Sequence, residues 1–208
     1  MRETDKNNAT LVGILEKEFE ASVEIRDDGS CVDCWDTTLA VARDGKIRDW
    51  LNVRVYEHDE KLPGKDEAVC VSGGIRAYAC RKGRKSFIGV TAEDIHTVSA
   101  TADDADVVEL TGTVCREVIT RDTKNSGSIT EVLLAVRSDN RTDYVPCVVW
   151  GSVVKIASTL SVGDRVSAKG RLQSRSYVKH SEDGKKTRKT AYEVRAYRLI
   201  KLENEEGS

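Results

Sequence analysis

An octet of one pattern occurs twice in this chain, 94 positions apart: Asp49-Trp-Leu-Asn-Val-Arg-Val-Tyr56 and Asp143-Tyr-Val-Pro-Cys-Val-Val-Trp150. Side chains alternate across a strand, so each octet has two faces. One face is apolar, with Leu51, Val53 and Val55 in the first copy and Val145, Cys147 and Val149 in the second. The other carries an aromatic at each end, Trp50 and Tyr56 in one copy, Tyr144 and Trp150 in the other. Large rings set opposite a buried aliphatic row call for something to stack on them. The duplication also favours two units of one fold over a single large domain.

Around the octets the remaining strand signals keep the same order. Repeat one reads as strands near 8–20, 33–43, 49–56, 69–78 and 86–98, with Asp44-Gly45 as a hairpin signal. In repeat two, Val107–Val114 matches the first strand, Gly112 standing where Gly13 stood. Leu133 to Arg137 matches Leu39 to Arg43, Val166–Leu172 matches Val69–Ile75, and Thr190–Ala196 matches Ser86–Ala92. Insertions fall between these segments. One of them, Ser152–Leu160, spaces Val153, Ile156, Ala157 and Leu160 as an amphipathic helix with Ser152 as its cap; repeat one has Pro63 and Gly64 there. Five strands with a helix between the third and fourth is the order of an OB-fold, a small Greek-key barrel that binds nucleic acid across strands 2–3 and the adjoining loops. The expectation is an all-β chain of two tandem OB-folds (five-stranded Greek-key barrels), with a short helix in the second. A divergent N-terminal barrel would occupy residues 1–100 and the second 106–203, joined by the small, acidic stretch Ser99–Ala105. Residues 204–208 would form a short acidic tail.

Charge separates the halves. Residues 1–105 hold 15 Lys/Arg against 21 Asp/Glu, whereas Lys169–Lys201 holds 11 Lys/Arg against 3 acids. Such clustering beside an aromatic strand face is the footprint expected where a polyanion binds. No apolar run approaches the roughly 20 residues of a membrane span, and the first residues have no signal-peptide core, so a cytoplasmic, nucleoid-associated location is expected. Cys31-Val-Asp-Cys34 is a single C-x-x-C without a second pair at zinc-site spacing, so no metal or other cofactor is expected. The histidines at 58, 96 and 180 make no catalytic constellation and no phosphate-binding glycine loop occurs, so no enzymatic activity is expected.

The second repeat then resembles a known family. Glu109–Val114, Leu134–Arg137, Asp143–Ala157, Gly163–Val166, Gly170–Tyr177 and Tyr192–Val194 are similar, in order and spacing, to the bacterial single-stranded DNA-binding proteins. Repeat one resembles them only through its likeness to repeat two. The resemblance implies stacking of bases on Tyr144, Trp150 and Tyr177, and by internal alignment on Trp50, Tyr56 and Tyr78. It also implies a homodimer giving four OB-folds, and replication and repair proteins as partners. The family recruits those through an acidic tail ending in Pro-Phe, which Glu203–Ser208 does not match.

Non-specific single-strand binding needs ring faces for bases and a basic groove for phosphates. The phosphate candidates are Lys169, Arg171, Arg175 and Lys179, then Lys185, Lys186, Arg188 and Lys189 on the return strand, with Arg54 between Trp50 and Tyr56. The bland alternative for Trp150 is a cap on the barrel core; Trp35 shares parity with Leu39 and Val41 and reads as core. Two other functions fit a tandem OB-fold: RNA binding or primosome assembly, and a protein-interaction module whose aromatic faces pair with another subunit.

Overall fold

The computed structural model describes residues 5–26, 28–44, 47–56, 61–78, 87–103, 105–123, 127–138, 141–180 and 186–203, without the side chains of 44, 78, 179 and 180. Its first six strands are β1 (Asn7–Leu15), β2 (Glu20–Ile25), β3 (Cys31–Asp44), β4 (Ile47–Val55), β5 (Ala68–Tyr78) and β6 (Phe87–Thr97). The next six are β7 (Ala105–Val114), β8 (Ile119–Thr123), β9 (Gly127–Ser138), β10 (Arg141–Trp150), β11 (Arg165–His180) and β12 (Lys186–Lys201). One helix, α1 (Val153–Ala157), lies between β10 and β11. In each half the strands close a ring. β1 pairs with β5 and, at its end, with β3; β4 joins β3 antiparallel and β6 parallel. The second half repeats every one of these pairings, including the parallel pair β10–β12. These are two OB-folds in tandem.

Each ring encloses an apolar core, with Leu11, Leu39, Leu51 and Ile75 fully buried in the first and Leu110, Leu134 and Leu172 in the second. Bulges at Ser72/Gly73 and Lys169/Gly170 bend β5 and β11, the fifth strand of each barrel. A side chain at Gly170 would collide with the Arg195 carbonyl, and one at Gly73 with that of Thr91.

Three sequence expectations change. The strand expected over 8–20 is two strands, because Leu15 and Glu16 donate their N–H groups to Glu67 and Thr38, and the chain resumes along β3 only at Glu20. The helix is shorter than expected, and Ser152 is itself helical with no side-chain capping bond. The matching of Leu133 to Leu39 is one residue out of register. Ala40 faces Trp50 and Ala135 faces Tyr144, so Leu134 is the counterpart of Leu39. Both are fully buried, as a period of two requires.

The barrels join edge to edge. β1 and β7 pair antiparallel around Ala9↔Val108, making one twelve-stranded sheet. Gly13 and Gly112 are counterparts, so Ala9 and Val108 are too, and a pseudo-two-fold axis passes through that pair. The first residues of the octets obey the same symmetry. Asp143, 1% exposed, accepts the Ala77 N–H of the other barrel at 3.0 Å, and Asp49, 2% exposed, accepts the Ser174 N–H at 2.7 Å. Sequence reading gave these aspartates no role.

Candidate nucleic-acid interface

Three of the expected stacking rings stand in solvent: Trp50 (49% exposed), Tyr144 (54%) and Tyr177 (39%). Trp50 and Tyr144 are the fourth residues of β4 and β10, with side chains turned away from the cores by strand alternation. Trp50 also donates its backbone N–H to Ser174 Oγ across the barrel junction, at 3.0 Å. Tyr177 lies on β11, and the Arg175 guanidinium sits 5.9 Å from its ring centre. Beside it Lys186, Arg188 and Lys189 are exposed along β12, while Arg171 is half-buried on β11. The side chains of Tyr78 and Lys179, and Lys185 altogether, fall outside the described residues.

Of the rest of the expected set, Arg54 is buried and Tyr56, Trp150 and Lys169 are half-buried. Arg54 is buried, with Nε and Nη2 on the two Asp36 carboxylate oxygens at 2.7 and 2.8 Å, Nη1 on Glu24 Oε2 at 2.9 Å, and its plane 4.4 Å from the Phe87 ring centre. It does not reach a phosphate, contrary to expectation. Tyr56 is corrected in the same way: its hydroxyl donates to Glu24, and burial together with that bond pushes its pKa up to about 12. Arg76 completes the cluster, bonding Glu24 Oε1 at 2.6 Å and Asp143 Oδ1 at 2.9 Å. Burial opposes ionisation of Glu24, but the bonds from Tyr56, Arg76 and Arg54 hold its carboxyl below the ordinary range. Trp150 is half-buried, its indole N–H enclosed without a partner among the described residues, with Arg195 5.7 Å from the ring centre. Lys169 is half-buried and pairs with Glu109 at 2.7 Å where β11 meets β7. Trp35 is half-buried rather than wholly within the core.

The cluster explains a difference between the barrels. In barrel one, Arg54, Asp36, Glu24, Tyr56 and Phe87 fill the groove above β2, β3 and β4. The registers place Val148, Glu131, Thr123, Trp150 and Ala191 at the corresponding positions of barrel two. With Val148 for Arg54 and Ala191 for Phe87, that groove is open. It forms a cleft of about 640 Å³ running from Tyr144 past Pro146, Val148 and Tyr192 to Asn52 and Phe87 of barrel one. Arg116, Arg175, Glu131 and Glu193 line it as well. None of these except Tyr144 and Arg175 was singled out from sequence for binding. The signal lay in comparing partner positions across the repeats, which needs the correct register.

Cys31 is exposed and Cys34 buried, as expected for positions three apart on a strand. Among the described residues no three His, Cys, Asp or Glu side chains gather as a metal site, and no helix is long and apolar enough to cross a membrane.

Residues 106–200 match the profile of the single-strand binding protein family. That match spans the second barrel. The single-strand binding protein likeness extends in fold to the first barrel. The wild-type single-stranded DNA binding protein from Thermus aquaticus superposes with a TM-score of 0.72 at 21% identity, covering 99% of this chain and 97% of that one. A deletion mutant of the same Thermus aquaticus protein gives 0.72 and 21%, covering 97% of each chain. No curated protein sequence matches the chain.

Proposed function

We propose that this protein binds single-stranded DNA without strong sequence preference, by stacking bases on exposed rings beside a basic hairpin, and protects it during replication, recombination or repair. The observation that carries the reading is the platform on the family-matched barrel: Tyr144 and Tyr177 exposed, with Arg175, Lys186, Arg188 and Lys189 around them. Stacking contributes about 1–3 kcal/mol per base, so Tyr144, Tyr177 and Trp50 together contribute roughly 3–9 kcal/mol before phosphates are counted. Barrel one contributes Trp50; its groove is occupied by its own side chains. The working units are residues 1–100 and 106–203, the protein acts as a homodimer with four OB-folds in the cytoplasm at the nucleoid, and replication and repair proteins are its partners.

Quenching of intrinsic tryptophan fluorescence by oligo-dT tests the reading, because Trp50 reports directly. Strong quenching is expected, weakening with salt at a slope of roughly −0.7 per phosphate neutralised, with duplex DNA a poor competitor. An absence of quenching by oligo-dT, with quenching by oligo-U or by neither, would overturn it. Light scattering that gave a monomeric mass would refute the dimer.

A further inference from the structure

The open groove of barrel two has chemistry that the exposed rings lack. Its floor is apolar, made by Pro146, Val148 and Ala191. Tyr144 stands at one end, and at the other the Tyr192 hydroxyl meets Asn52 Oδ1 at 3.4 Å. Two carboxylates reach it from opposite strands. Glu193 receives Gln173 at 2.8 Å and Arg175 at 3.8 Å on Oε1, and Glu131 receives Arg121 on Oε1. Neither Oε2 has a protein partner among the described residues. Arg116 and Arg175 line the groove as well. The volume lies within the range of about 300–1,000 Å³ of small-ligand clefts.

We infer that this cleft is a subsite for one unstacked nucleobase of the bound strand, selecting bases that carry an exocyclic amine over thymine. The inference rests on the single-stranded DNA reading above. A flat ring fits between Tyr144 and the apolar floor, where its faces are covered by carbon. A carboxylate oxygen accepts from an amine such as cytosine N4. Thymine offers a carbonyl at that position and would set it against Glu131 or Glu193. Arg116 and Arg175 offset the carboxylates for the flanking phosphates. Barrel one has no such subsite, because Arg54 lies between Asp36, Glu24 and Phe87, as an internal cation in the place where the base amine would bind. Each chain therefore holds one selective position within an otherwise indifferent footprint.

The test compares oligo-dC with oligo-dT on the full chain. Ala191→Phe installs the residue that barrel one uses to close its groove. It is expected to weaken oligo-dC binding at least fivefold more than oligo-dT binding. Equal effects on both, or no effect on either, would overturn the subsite while leaving single-strand binding intact. Glu131→Gln, on the surface of β9, covers the case in which Ala191→Phe unfolds the barrel. The dC-to-dT affinity ratio should fall threefold or more, and an unchanged ratio sinks the idea. A wild-type chain that binds neither polymer removes the subsite together with the reading it rests on.

Discussion

Asp106 and its counterpart Asn7 show how one atom changes the behaviour of a site. Asn7 accepts the Ile75 N–H at 2.8 Å and returns an N–H to the Ile75 carbonyl at 3.0 Å. Asp106 accepts the Leu172 N–H at 2.8 Å, but as a carboxylate it has nothing to return. Burial raises its pKa to about 7, with the Leu172 bond opposing the rise. A carboxyl whose folded pKa is raised stabilises the fold fully below its ordinary pKa and loses that contribution as pH rises through the folded one. Stability should therefore fall by roughly 2–4 kcal/mol between pH 4 and 8 from this group. Asp106→Asn should flatten that dependence and raise Tm at pH 8; urea melts at pH 5 and pH 8 decide it. Arg54 gives the opposite lesson. Octet parity was legible, since Leu51, Val53 and Val55 are buried as expected. What covers the other face was not, because Glu24 arrives from thirty residues away. Arg54→Ala removes the bidentate partner of Asp36 and leaves Glu24 with Arg76 and Tyr56 alone, and a loss of about 1–3 kcal/mol is expected. The slope of DNA affinity against salt should stay as it is; a shallower slope would return Arg54 to the phosphate contacts.

Among the elements, the strand order could be read from repeated hydrophobic segments and their spacing. Register could not. Two leucines in a row, Leu133 and Leu134, both fit an aliphatic signature, and only the cross-strand partner Val145 decides which is inside. The break between β1 and β2 was hidden for a similar reason: the bonds that end β1 come from Thr38 and Glu67, and no local turn residue announces them. Glycines sit at the bulges of β5 and β11, and their geometry gives a prediction. Gly170→Ala pushes a methyl into the Arg195 carbonyl at the bulge, at a cost of about 1–3 kcal/mol. The variant's denaturation midpoint checks this, and an unshifted midpoint would mean that the bulge relaxes freely.

At the scale of the molecule, the barrels are fixed to one another by β1 against β7 and by two reciprocal aspartates. Asp143→Ala removes the acceptor for Ala77 N–H and leaves Arg76 with one carboxylate fewer. Asp49→Ala removes the acceptor for Ser174 N–H and a partner of Arg43. Either change should destabilise both barrels together, seen as one cooperative transition at lower temperature. Two separated transitions in the wild-type protein would contradict so rigid a junction. The seam has a further consequence. Its pairing is symmetric about Ala9 and Val108, so residues 106–203 alone would expose β7 as an unpaired edge that fits a second β7. That fragment should self-associate, with a mass that halves on dilution. In the intact chain the partner strand is tethered by a linker of a few residues, at an effective concentration in the millimolar range. The pairing of one OB-fold with the next is thereby freed from mass action, and dilution in the cell cannot undo it.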